Sequence, residues 1–232
     1  MREIVLDTET TGLDPAKGHR VVEIGAVEIG NLIATGRTFH VYIDPERDMP
    51  EEAFRVHGLS REFLASHKKF VQIVDEFREF VEGAQLIIHN AEFDVRFLNA
   101  ELSRLDLPLI EMSNVIDTLA LARRRHPGAS NTLDALCQRY GVDASRREKH
   151  GALLDAYLLA EVYAELMGGR QTAMSLSVER KVNAQSNLEL LRQRPAPLAS
   201  RLTAQEDEAH RAFASGLGKA PIWKRYCAQE EN

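Results

Sequence analysis

Hydrophobic and polar positions follow two regimes along the chain. Up to about residue 45 the apolar residues come in short runs or alternate, the signature of strands. Residues 4–6 are apolar, 21–29 are mostly apolar with Glu23 and Glu28 interrupting, and 38–43 alternate. Gly12, Asp14-Pro15, Gly18, Gly30-Asn31 and Asp44-Pro45 punctuate them as turns. The short links predict an antiparallel start to a sheet. Helical spacing then takes over. Phe70, Val71, Val74, Phe77 and Val81 form a stripe that predicts a helix over 70–81. Residues 85–89 read as a short apolar strand, followed by a helix over about 91–105 that Asn90 can cap. A further strand is expected at 115–116, then helices at 118–125, 132–140 and 151–167. Strands first, then strands alternating with helices, predict an α/β fold: a mixed sheet flanked by helices.

Gly168-Gly169 ends this pattern. Residues 170–202 are polar, carry Pro195 and Pro197, and read as a flexible linker. Thr203-Ala204-Gln205-Glu206 has the form of a capping box opening a helix to about residue 217, with Gly216 and Gly218 available to stop it. The expected organisation is therefore a domain over 1–169, a linker over 170–202 and a terminal segment over 203–232. That last segment holds Ile222 and Trp223, the latter the single tryptophan, as apolar anchors on a stretch too short to form its own core.

The 232 residues are 44% hydrophobic and 28% charged, enough for one well-buried domain plus an appendage. No apolar run has the length of a membrane span, and a strand starts so near Met1 that no room is left for a signal peptide. Cys137 and Cys227 lie far apart without CxxC spacing, which argues against a disulfide framework or zinc site and fits a cytoplasmic location. The net charge of −6 opposes strong autonomous binding to nucleic acid, where phosphate neutralisation dominates affinity. If the substrate is a polyanion, a partner is expected to deliver it.

The candidate chemistry lies in three clusters: Asp7 and Glu9 in Asp7-Thr8-Glu9-Thr10-Thr11-Gly12, Asp94 in His89-Asn90-Ala91-Glu92-Phe93-Asp94, and His150 with Asp155 in His150-Gly151-Ala152-Leu153-Leu154-Asp155. Four converging carboxylates suit hard divalent cations, which take oxygen ligands and neutralise acids that would otherwise repel one another. Asp7 and Glu9, two apart on a strand, project to one face. Asp94 falls in the first turn of its helix, where the dipole favours a carboxylate. His150 and Asp155, five apart, would diverge by roughly 140° on one helix. Gly151 resolves this by leaving His150 on the preceding loop. Phe93 is expected in the core and Glu92 at the surface. The Thr10-Thr11-Gly12 turn can offer backbone N–H groups to a phosphate or sugar.

In order, the three motifs resemble those of the DEDDh 3′→5′ exonuclease family. Ile24-Gly25-Ala26-Val27-Glu28, Phe54-Arg55-Val56-His57-Gly58-Leu59 and Leu133-Asp134-Ala135-Leu136-Cys137 extend the resemblance toward its branch of bacterial replicase proofreading subunits, the epsilon type. The resemblance implies an RNase H-like exonuclease fold with a five-stranded sheet and a polar C-terminal tail. It implies that Asp7, Glu9, Asp94 and Asp155 hold two Mg²⁺ or Mn²⁺ ions, with Asp7 bridging. His150 would be the general base, acting while neutral, so that turnover rises with pH through the histidine range. Asp7, Glu9, Thr10, Val56, His57 and Asp155 are the implied substrate contacts, although His57 serves equally well as a structural residue. The implied partners are DNA 3′ ends, the polymerase III alpha subunit through Ile222 and Trp223, the sliding clamp through Gln171, Met174 and Leu176, and a small theta-like subunit. A stand-alone RNA or oligonucleotide exonuclease and a chiefly structural replicase subunit are the alternatives.

Overall fold

Five strands form one sheet in the order β3-β2-β1-β4-β5, with β1 (Glu3–Thr10) at its centre. β2 (Val21–Gly30) and β3 (Ile33–Tyr42) meander antiparallel from β1, while β4 (Gln85–Ile88) and β5 (Val115–Asp117) run parallel to it. The computed structural model describes residues 2–145, 149–168 and 202–216. The chain divides into two units, 1–175 and 176–232. In the second, α8 (Ala204–Gly216) opens with the predicted capping box: Thr203 N–H donates to Glu206 Oε2 at 2.9 Å and Glu206 N–H to Thr203 Oγ1 at 3.3 Å.

Alternation along β1 builds two cores. Ile4 and Leu6 face one side, packed with residues of α3 (Val74–Val81) and α4 (Ala91–Ser103). Val5 faces the other, against residues of α5 (Thr118–Arg125), α6 (Leu133–Tyr140) and α7 (Ala152–Leu166). α7 lies across β1 and β2, and its mostly apolar first half suits that burial. Among the described residues no helix is long and apolar enough to cross a membrane.

Several elements differ from the sequence expectation. β1 continues through Asp7 and Glu9 to Thr10, because β2 pairs with it that far. β3 begins at Ile33, not 38. The helix expected over 70–81 is a 3₁₀ turn at Phe70–Gln72 followed by α3, separated at Ile73. Two short helices, α1 (Glu51–His57) and α2 (Arg61–Leu64), carry too few turns to leave a periodic stripe. Asn90 precedes α4 but makes no side-chain cap. It sits in the left-handed region at φ 62°, and its own N–H donates to Asp117 Oδ1 at 3.1 Å.

Candidate active site

The carboxyl end of β1 places Asp7 and Glu9 on the sheet face that α7 covers, and Thr8 on the opposite face toward α4. α7 approaches this end closely because Gly25, registered between Asp7 and His40, has no side chain. A Cβ there would lie 2.1 Å from Leu153 N and 2.2 Å from Ala152 C. The first turn of α7 therefore rests on the sheet, with Asp155 2% exposed and its N–H bonded to Gly151 O. His150 precedes the helix on a loop, its Nδ1 3.3 Å from Asp155 Oδ2.

Asp7, Glu9, His150 and Asp155 thus line one cleft of about 840 Å³. Ligand atoms of Glu9, His150 and Asp155 lie within 4.8 Å of one another, a spacing that one cation can span. The carboxylates of Asp7, Glu9 and Asp155, carried on a strand and a helix, are hard oxygen donors and fit divalent ions of the oxygen-seeking kind. Asp94 stands differently. It is 3% exposed, and its Oδ1 accepts Thr8 Oγ1–H at 2.6 Å and Thr8 N–H at 3.1 Å from the other side of β1. Burial pushes its pKa up to about 7, against these hydrogen bonds, which pull it down.

A second cavity of about 380 Å³ shares Glu9 with the first and is lined by Thr10, Val56, His57 and Phe93. His57 is buried on its wall, and that burial lowers its pKa. Nδ1 accepts Leu59 N–H at 3.0 Å, so the neutral ring carries its proton on Nε2. That Nε2–H faces the Thr10 backbone but makes no hydrogen bond of normal geometry. Phe93, expected in the core, is half-buried: it packs on Phe97 at 5.0 Å and also lines this cavity, while Glu92 is exposed as expected. The turn after β1 does not offer all its amides to a ligand. Thr11 N–H donates to Arg20 O at 2.9 Å, and Arg20 N–H donates back to Thr11 Oγ1 at 3.0 Å. Arg20 in turn forks onto Glu101 of α4 at 2.6 and 2.8 Å, tying the turn to that helix.

Sequence reasoning quoted Gly25, Thr8 and His89 within motifs without giving them a role, and did not single out Arg123 in the cleft or Leu13, 77% exposed at the second cavity's rim. Thr8 lay within a quoted motif, and strand alternation around Asp7 and Glu9 was the signal that could have found it. Gln171, Met174, Leu176, Ile222 and Trp223 lie outside the described residues.

A mixed sheet of this order gathers acids at the end of its central strand, with a histidine on the adjoining loop, and so builds a site for divalent-metal chemistry. Residues 4–163 match the family model described as Exonuclease (RNase T). A DNA polymerase III subunit epsilon from Rickettsia conorii is 52% identical over 94% of this chain and 97% of its own length. The subunit epsilon of Escherichia coli (strain K12) is 47% identical over 96% and 97%. The solved nuclease domain of a DEDDh family member bound to rAMP superposes with a TM-score of 0.62 at 17% identity, covering 72% of this chain and 91% of that one. The chain belongs to the exonuclease family, in its branch of DNA polymerase III epsilon subunits, which are 3′→5′ proofreading exonucleases. Enzymes of this family work with divalent metal ions.

Proposed function

We propose that Asp7, Glu9, Asp94 and Asp155 hold two Mg²⁺ or Mn²⁺ ions, and that His150 takes the proton from the water attacking the 3′-terminal phosphodiester of DNA. The observation that carries this reading is the convergence of Glu9, His150 and Asp155 ligand atoms within 4.8 Å, beside Asp7 in one cleft. Bound divalent ions supply Lewis acidity, lowering the pKa of water and stabilising charge that builds on the phosphate. The protein supplies the rest. With Nδ1–H donating toward Asp155 Oδ2, the neutral His150 ring presents Nε2 as its proton acceptor. The same carboxylate steadies the imidazolium formed when that proton arrives. The bond from phosphorus to the 3′ oxygen of the penultimate nucleotide breaks, that oxygen takes a proton from solvent to become the new 3′ hydroxyl, and the terminal residue leaves as a nucleoside 5′-monophosphate. Thr8 fixes Asp94 from behind the strand.

The terminal nucleotide occupies the cavity lined by Thr10, Val56 and His57, against the wall to which the buried His57 ring belongs. The shared wall at Glu9 then sets the scissile phosphate at the junction of the two cavities. A frayed 3′ end enters more readily than a paired one because less unpairing energy is spent, so errors are selected by fraying.

Membership of the epsilon branch implies a replicase setting. Within it we assign Gln171, Met174 and Leu176 to the sliding clamp, Ile222 and Trp223 to the polymerase alpha subunit, and allow a small theta-like subunit on the exonuclease domain. Such tethering answers the net charge of −6, since the polymerase would hold the DNA. The test is digestion of a labelled primer with matched or mismatched 3′ ends in Mg²⁺ or EDTA. Metal-dependent trimming, faster on mismatched ends and abolished by Asp7→Ala, is expected. Trimming that survives Asp7→Ala would refute the assignment.

A further inference from the structure

The loop carrying His150 is fastened to the last turn of α1, the same turn that walls the second cavity. His150 N–H donates to Val56 O at 3.3 Å. Lys149 Nζ stands 5.5 Å from the Phe54 ring centroid, a cation–π distance. The Lys149 stem then runs over Gly58, which caps α1 in the left-handed region at φ 75°. A Cβ at Gly58 would fall 2.7 Å from Lys149 Cδ and 2.8 Å from its Nζ, so the absent side chain makes room for the lysine. A cation also suits the carboxyl end of a helix, where unsatisfied carbonyls gather. Val56 and His57, between Phe54 and Gly58, face the cavity assigned above to the terminal nucleotide.

We propose that Lys149 is a positioning residue: it clips the His150 loop onto the wall of the nucleotide cavity, through Phe54 and Gly58, so that a seated 3′ nucleotide and a correctly placed base are one arrangement. This rests on the assignment of His150 as general base. Because Lys149 and Phe54 are both exposed, removing either leaves the core untouched. Nucleotide binding and base placement would then be coupled without any change in fold. A nucleotide that fails to press on the Val56–His57 wall would leave the base loosely held.

The test uses the full-length protein and a 3′-labelled single-stranded oligodeoxynucleotide with Mn²⁺. Lys149→Ala is expected to lower kcat five- to twentyfold with KM within twofold of wild type and an unchanged melting temperature. Lys149→Arg, which keeps the cation over the ring, should restore most of the loss. Phe54→Ala should reproduce it, with the double variant no worse than either single one. In metal-free protein, amide exchange at His150 should quicken about tenfold in Lys149→Ala. The deciding comparison is in a His150→Gln background. If Lys149 acts through His150, adding Lys149→Ala there changes nothing further. A further loss, or a rise in KM that falls with salt, would show instead that Lys149 touches a DNA phosphate and would overturn the proposal. Wild-type kcat in Lys149→Ala would do the same while leaving the base assignment standing. An active His150→Gln with an unaltered pH profile would remove the base assignment itself.

Discussion

Gly25→Ala puts one methyl group where the fold allows none. The new Cβ would start 2.1 Å from Leu153 N and 2.4 Å from Leu153 Cα, both backbone, whereas ordinary contact begins near 3.4 Å. Relief therefore needs a displacement of about 1.3 Å between the first turn of α7 and β2, and no side-chain rotation can supply it. Overpacking of this kind costs about 1–3 kcal/mol. For a domain of this size that lowers the melting temperature by roughly 2–4 °C per kcal/mol. The larger effect falls on chemistry, because Asp155 sits two residues beyond Leu153 and His150 three before it. A misplacement of about 1 Å at a catalytic constellation costs on the order of 100-fold in rate. The assay is single-turnover trimming of a 3′-labelled primer at saturating metal, run beside thermal melting. Gly30→Ala, on the same strand but with its nearest neighbour at an ordinary 3.6 Å, serves as the control and should be near neutral. If Gly25→Ala trims at the wild-type rate, the close approach of α7 is not what sets the site. If it melts early yet trims normally, the sheet has yielded instead of the helix.

Three further outcomes follow from the same geometry. Asp94 carries a raised pKa, so the folded state binds a proton that the unfolded chain has released above about pH 4. Metal-free protein must then lose stability as pH rises from about 4 to about 7, and Asp94→Asn should flatten that slope and gain on the order of 1–3 kcal/mol at pH 7.5 while losing activity, as read by urea titration with EDTA. Arg20→Met removes the forked partner of Glu101, 2% exposed, and leaves it Arg104 at 3.1 Å, so the loss should be about 1.5–3 kcal/mol in denaturant. Arg20→Met with Glu101→Leu should recover most of it; an additive loss would contradict the pairing. His150→Gln should cut trimming at least 100-fold, and trimming at the wild-type rate would assign the base elsewhere.

Much of this was legible in the chain because the site is built from local motifs at element ends. Asp7 and Glu9 could be put on one face by strand alternation, and Gly151 separated His150 from the helix bearing Asp155. What was hidden was the third dimension of each. Asp94 reads as a helix-favoured acid, yet it is buried against Thr8 across the strand, a partner 86 residues away. Gly25 reads as an ordinary strand interruption, since nothing local announces a helix resting on it. Asn90 has a capping residue's chemistry, but the bond from its N–H to Asp117 accompanies a left-handed backbone that its side chain does not use for capping. Phe70–Gln72 and Val74–Val81 share one stripe, and periodicity alone could not show the break at Ile73.

The central place of α7 has a consequence for the birth of the protein. The proposed site draws on residues 7, 9, 94, 150 and 155, and its closing piece is the last helix of the exonuclease unit, laid across strands made some 130 residues earlier. A nascent chain emerging from the ribosome carries all five strands before α7 is made, but it lacks Asp155, and so the complete proposed centre, until α7 arrives. Nuclease activity thus appears only at the end of folding. A product cut short before α7 lacks Asp155, and with it a complete set of the proposed ligands.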